Sequence, residues 1–233
     1  MRKIKRFYKD ATVVAAADGF AVRLDGKPIK TPAGHPLAVP AAALAEEIAG
    51  EWRAQDAEVR PETMPLTQLA STALDRVGPE RTAILAQLLG YGGTDLLCYR
   101  ATDPADLVER QKEAWQPLLD WAARELDAPL AVTQGVLAVD QPPETLAALA
   151  RHLDGYDTWR LTALQAATAA TGSLVLGLAL VQGRLSAADA FARAQVDETF
   201  QIEKWGDDAE AADRRAALAR DVTAAERLLA LLS

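Results

Sequence analysis

The segment from Leu161 to Gly183, lying between Arg160 and Arg184, contains no charged residue and limits the fold more than any other stretch. It is long enough to cross a bilayer, which takes about 20 mostly apolar residues. Its content argues for another solvent. The large aliphatics are few and mostly late (Leu174, Val175, Leu176, Leu178, Leu180, Val181), and on an insertion scale they supply only about −4 kcal/mol. Gln165, Gln182, Thr162, Thr168, Thr171 and Ser173 act against that sum. The stretch is read as one helix buried in protein, with no stable membrane insertion. Alanines in its first half and the Ser173/Gly177 pair in its second allow neighbouring helices to approach closely. It should be the central strut of a helical domain.

Composition narrows the function. A formal net charge of −8 over 233 residues argues against a nucleic-acid partner, because phosphate backbones require a basic face. Half of the chain is apolar, enough for a true core. The single cysteine, Cys98, excludes an internal disulfide and suits a reducing compartment. The basic start MRKIKRFYKD is followed by no apolar h-region, so no secretory signal is expected.

Punctuation divides the chain. From Lys5 to Pro40, short alternating runs are separated by Asp18-Gly19 and Asp25-Gly26, which are hairpin signals because type I′ turns need positive φ at both central residues. A helix should follow Pro40, with Leu44, Ile48 and Trp52 on one face. After Pro65 the text is helical. Helices are expected over 66–75, over 79–89 with a stop at Gly90-Tyr91-Gly92-Gly93, over 104–126, over 142–153, from Ser186 to Trp205, and over 208–232, where Glu210 and Arg214 are spaced as an i, i+4 pair. Strand and helix are not separable at 95–101 or 130–139. The fold expected is α+β: a β-rich domain over 1–65, made of hairpins plus one helix, and a larger helical bundle over 66–233 around the central buried helix.

Searching for reaction chemistry yields little. His35 and His152 have no metal-ligand spacing, and one cysteine builds no zinc site. Cys98 lies in an apolar run, where a buried inert thiol is the common outcome. No phosphate loop or nucleophile elbow is present. No cofactor, metal or catalytic residue is therefore assigned. An alternative is a small hydrolase-type enzyme using the carboxylate of Glu198 or Asp95 in an inter-domain cleft.

Pattern and polarity disagree in one helix. Phe191, Gln195, Glu198, Ile202 and Trp205 fall on one face. Either the apolar three are core with Gln195 and Glu198 at the rim, or the face is a partly exposed apolar–acidic strip suited to a partner.

Ordered motifs then carry a resemblance. They are Arg6-Phe7-Tyr8-Lys9; Leu24 to Pro32; Pro36-Leu37 with Pro40; Ala49-Gly50-Glu51-Trp52-x-x-Gln55; and Pro61-x-x-Met64-Pro65-Leu66-Thr67-x-Leu69-Ala70. Further on come Asp95 to Ala101, Gln111-x-x-x-Trp115-x-Pro117-x-x-x-Trp121, and Glu198-x-x-Gln201-Ile202-x-Lys204-Trp205-Gly206. Together they resemble the chaperones that assemble the catalytic sector of the F-type ATP synthase, a mitochondrial and α-proteobacterial family. That resemblance implies a non-enzymatic protein that binds the free α subunit, shields its β-facing surface and yields to the β subunit without ATP hydrolysis. It implies partner contacts at Glu198, Gln201, Lys204 and Trp205. The family's eukaryotic members belong in the mitochondrial matrix, but this chain departs from them by lacking a presequence, so a bacterial cytoplasmic location is expected. Trp52 is expected to lock its helix against the sheet.

Overall fold

The computed structural model describes residues 4–135 and 137–232; the first three residues of the basic start, and position 136 of the irregular stretch 130–139, lie outside them. The fold is α+β, with a small β-sheet region followed by a larger helical part. By internal contacts the chain forms two compact units, Met1–Arg81 with Arg227–Ser233, and Thr82–Glu226. Residue 65, where the sequence reading ends its first domain, lies inside the first unit.

In the first unit, β1 (Ile4–Lys5) pairs antiparallel with β6 (Glu58–Val59). The strands β2 (Ala11–Ala16), β3 (Gly19–Leu24), β4 (Lys27–Pro28) and β5 (Ala38–Val39) form a four-stranded antiparallel sheet in which β3 pairs with the other three. The Asp25-Gly26 turn is of the kind the sequence signals, with φ of 47° and 80°. The other hairpin is shifted by one residue: Ala16 pairs with Gly19, so Ala17-Asp18 is the loop. Gly19 instead begins β3 with φ of +123° and sits against Val39, where a Cβ would lie 2.3 Å from the carbonyl oxygen.

Helix α1 (Ala42–Arg53) buries Leu44 and Ile48 as its spacing requires. Trp52 is only half-buried. Its ring meets Tyr8 edge-on at 5.6 Å, and its carbonyl accepts from the Tyr8 hydroxyl at 2.6 Å. It thereby ties the end of α1 to the segment preceding β2. Glu51 caps the next helix, α2 (Pro65–Thr72): its carboxylate accepts from Leu66 N at 2.7 Å, Thr67 N at 2.8 Å and Thr67 Oγ1 at 2.7 Å. Gln55 accepts from Arg60 N at 2.7 Å and donates to Thr63 Oγ1 at 3.0 Å. A π-helical turn (Ala73–Val77) follows α2. There Asp75 accepts from Thr31 Oγ1 at 2.6 Å and Ala33 N at 2.9 Å, with His35 Nδ1 at 2.8 Å.

The second unit holds α3 (Arg81–Gly93), α4 (Ala105–Glu125), α5 (Pro143–Asp154), α6 (Thr158–Thr171), α7 (Leu174–Val181), α8 (Ala187–Ala194), α9 (Val196–Trp205) and most of α10 (Ala209–Leu231). The two ambiguous stretches are mixed: Leu96–Cys98 is a 3-10 turn, after which the short strand β7 (Tyr99–Arg100) pairs parallel with β8 (Thr133–Gln134).

Three helical expectations are corrected. The uncharged segment is buried as expected, but it is two helices: Gly172 takes the left-handed conformation (φ 70°) and ends α6, and Ser173 caps α7 by accepting from Leu176 N. The chain folds back, so α7 packs on α6 at Gly177, where a Cβ would lie 2.4 Å from Thr168 Oγ1 and 2.9 Å from Leu164 Cδ1. The second correction concerns Gly90 to Gly93, which does not stop a helix but completes α3. Gly92 is small because Leu149 and Leu174 press on it; a Cβ there would lie 3.1 Å from a methyl of each. Third, the helix from Ser186 to Trp205 is interrupted at Gln195 (φ −104°, ψ 21°), giving α8 and α9.

Asp95 staples this core. It is 0% exposed, and its carboxylate accepts from Ser173 Oγ at 2.7 Å, Val175 N at 3.0 Å and Leu97 N at 3.1 Å. Burial pushes its pKa up to about 6, against the pull of those hydrogen bonds. Cys98 is buried close by, and burial followed by the Asp95 charge pushes its thiol up to about 12.

Candidate functional site

Helix α9 carries two unlike faces. Phe200 points inward and is its one buried residue, with Arg110 and Lys204 over its ring at 5.4 and 5.2 Å. This residue escaped sequence reasoning because the sequence stripe was drawn through a continuous helix; the break at Gln195 resets the phase. On the opposite face Gln195, Glu198, Gln201, Ile202 and Trp205 line a groove of about 360 Å³, closed on its far side by Ala211, Arg214, Arg215 and Leu218 of α10. Gly206 (φ 87°) makes the turn between the helices.

Of the four residues expected to meet a partner, Glu198, Gln201 and Trp205 share that groove. Lys204 stands on the flank towards α4, its Nζ 3.3 Å from an oxygen of Asp106. Trp205 is 78% exposed. An indole left in water forgoes about 4 kcal/mol of gross transfer free energy on burial.

Charge in the groove is partly spoken for. Arg215 pairs with Asp207 at 2.9 Å, and Asp208 caps α10 by accepting from Ala211 N at 3.0 Å. The sequence pair Glu210/Arg214 gives way to that Arg215–Asp207 bridge. Among the described residues the side chains of Glu198 and Arg214 have no ion-pair or hydrogen-bond partner.

A second concavity, of about 490 Å³, lies in the first unit and is mostly apolar, with Ile29, Leu37, Trp52, Val59 and Met64 in its wall. None of the expected contact residues reaches it. Asp95, the carboxylate considered for an enzymatic role, lines neither concavity and spends its oxygens on protein donors. Among the described residues no group of three or more His, Cys, Asp or Glu is placed to hold a metal ion. No helix among them is long and apolar enough to cross a membrane.

A family model described as "ATP12 chaperone protein" matches residues 5–123. The chain is 27% identical over 214 residues to "Protein atp12, mitochondrial" of Schizosaccharomyces pombe, covering 87% of this chain and 74% of that protein. It is 26% identical over 230 residues to "Protein ATP12, mitochondrial" of Saccharomyces cerevisiae, covering 80% and 71%. The crystal structure of Atp12 from Paracoccus denitrificans superposes with a TM-score of 0.92 at 43% identity, covering 99% of each chain. Fold and matches together define the class: an assembly chaperone. More narrowly, the chain belongs to the ATP12 family, the chaperones of ATP synthase assembly, and its partner is an ATP synthase subunit. The relatives come from bacteria and mitochondria alike.

Proposed function

We propose that this protein binds the free α subunit of the ATP synthase catalytic sector through the groove between α9 and α10. Glu198, Gln201 and Trp205 are the contacts within the groove, and Lys204 is a contact at its edge. The observation that carries this reading is Trp205, 78% exposed at the mouth of a groove with Ile202 and an unpaired Glu198 beside it. An aromatic anchor next to a free carboxylate fits a partner ridge made of an apolar side chain and a cation.

Subunits built for large apolar contacts aggregate when unpaired. A chaperone that covers the β-facing surface of the α subunit prevents this, and the β subunit displaces it by competing for the same surface. Exchange of one cover for another requires no ATP hydrolysis, and the protein acts as no enzyme. In a bacterium it works in the cytoplasm.

Co-expression with the α subunit tests the reading. Glu198 is exposed, so Glu198→Lys leaves the fold intact while the retained α subunit falls at least tenfold, the effect of about 1.4 kcal/mol at a contact. Undiminished co-purification by a folded Glu198→Lys variant refutes the groove, and loss of folding shows the strip to be core.

A further inference from the structure

Helix α9 lies antiparallel beside α4, and the contacts along that seam differ in kind from one end to the other. At the carboxy-terminal end they are exposed ion pairs, Arg110 with Glu203 at 2.7 Å and Lys204 with Asp106 at 3.3 Å. Exposed pairs constrain a helix weakly. At the amino-terminal end the contacts are buried. Gln111, 2% exposed, donates from Nε2 to Asp197 Oδ1 at 2.7 Å. Its Oε1 accepts from Ala101 N at 2.7 Å. One turn along α4, the indole of Trp115, 0% exposed, donates to the Arg193 carbonyl at 2.8 Å. That carbonyl belongs to the last turn of α8, where intrahelical partners run out, and it lies just before the interruption at Gln195. Arg100 locks the pair from behind, its Nη1 donating to the Gln111 carbonyl at 3.1 Å and its guanidinium lying 5.3 Å from the centre of the Trp115 ring.

We propose that Gln111 and Trp115 are positioning residues that set the direction in which α9 leaves α8, and thereby aim Glu198 and Trp205 into the groove. The inference rests on the groove reading for its functional consequence, but its structural content is separate. Gln111 does not line the groove; it acts through Asp197, and Trp115 acts through the peptide that ends α8. The amide at 111 is suited to this: one side must donate to a carboxylate while the other accepts from a backbone N–H, which no carboxylate or hydrocarbon at that position can do.

Exchanging the two groups tests it. Gln111→Glu places a carboxylate against Asp197 and removes the donor. Amide hydrogen exchange over 196–205 should quicken about tenfold, the effect of one lost charge-assisted hydrogen bond, while exchange over 161–181 stays as it was. Retention of the α subunit should fall in parallel. Adding Asp197→Asn restores a donor facing the new carboxylate, and both readouts should return towards wild type; loss of a residue that merely stabilised the fold would quicken exchange over 161–181 as well. If Gln111→Glu does not fold, Asp197→Ala, made on α9 with α4 untouched, must give the same local exchange and the same loss of retention. Unchanged exchange over 196–205, or absence of rescue in the double variant, overturns the positioning role. If exchange responds and is rescued while retention ignores both Gln111→Glu and Glu198→Lys, positioning of α9 stands and the groove reading falls.

Discussion

Gly177→Ala adds one methyl where α7 crosses α6, and two opposing effects decide its outcome. Replacing a helical glycine by alanine favours the helix by up to about 1 kcal/mol. Against that, the new Cβ would lie 2.4 Å from Thr168 Oγ1, 2.9 Å from Leu164 Cδ1 and 3.4 Å from Thr168 N. Thr168 is fully buried, and its nearest approach is through a short, stiff side chain that cannot swing aside as the tip of a long one would. The helices must separate. Overpacking of this kind costs about 1–3 kcal/mol, and two close approaches at once, to Thr168 and to Leu164, both buried, bring it to the upper part of that range. The net expectation is destabilisation by about 2 kcal/mol, or roughly 4–8 °C in Tm for a chain of this length. Urea and thermal unfolding followed by far-ultraviolet circular dichroism would measure it. Thr168→Ala in the same chain removes the opposing oxygen and should recover about half of the loss, whereas Gly172→Asn, at a left-handed position with open space around it, should cost under about 1 kcal/mol. A Gly177→Ala protein as stable as wild type, or more so, would refute the close crossing.

Asp95 makes stability depend on pH in an unusual direction. Its folded pKa of about 6 lies above the ordinary 3.8, so its contribution is fully present below about pH 4 and is lost as pH rises through 6, an amount of about 3 kcal/mol. Unfolding free energies of wild type minus those of Asp95→Asn, measured from pH 4 to pH 7, should therefore fall with pH; a flat or rising difference would contradict the buried carboxylate. Gly19→Ala should cost at least about 2 kcal/mol in chemical denaturation, since it combines a positive φ with a backbone clash at Val39. Trp205→Ala should leave unfolding within about 0.5 kcal/mol of wild type, because an exposed side chain supports little of the fold, while it abolishes co-purification of the α subunit.

The sequence revealed local features and withheld those that depend on distant contacts. Asp25-Gly26 announced its turn because the positive φ values are a property of those two residues, and the uncharged segment announced its burial. Its break at Gly172 was hidden, because the uncharged run continues unbroken through Thr171 and Ser173 and masks a left-handed cap that the carboxylate of Asp95 helps to complete. Gly92 resembled a stop signal because sequence alone does not show Leu149 and Leu174 pressing against it. In the candidate site, the strip from Glu198 to Trp205 was legible, but its two possible burials were not separable until Phe200 was seen to take the inward position. The bonds from Gln111 to Asp197 and from Trp115 to Arg193 join residues far apart in the chain, and no periodicity encodes them. Several motifs behind the family resemblance prove to be joints. Glu51 caps α2, Gln55 braces the turn after β6, and Arg6 donates to the carbonyl oxygens of Tyr8 and Gln55.

The central claim is that the α9–α10 groove grips the ATP synthase α subunit, and a photo-crosslinker placed in the groove tests it most directly. Trp205→p-benzoylphenylalanine keeps an aromatic anchor at the mouth, and irradiation of the variant co-expressed with the α subunit should give a single covalent product of the two chains. Added β subunit should suppress that product before irradiation. A variant that still co-purifies with the α subunit yet forms no crosslink from position 205 would contradict the account.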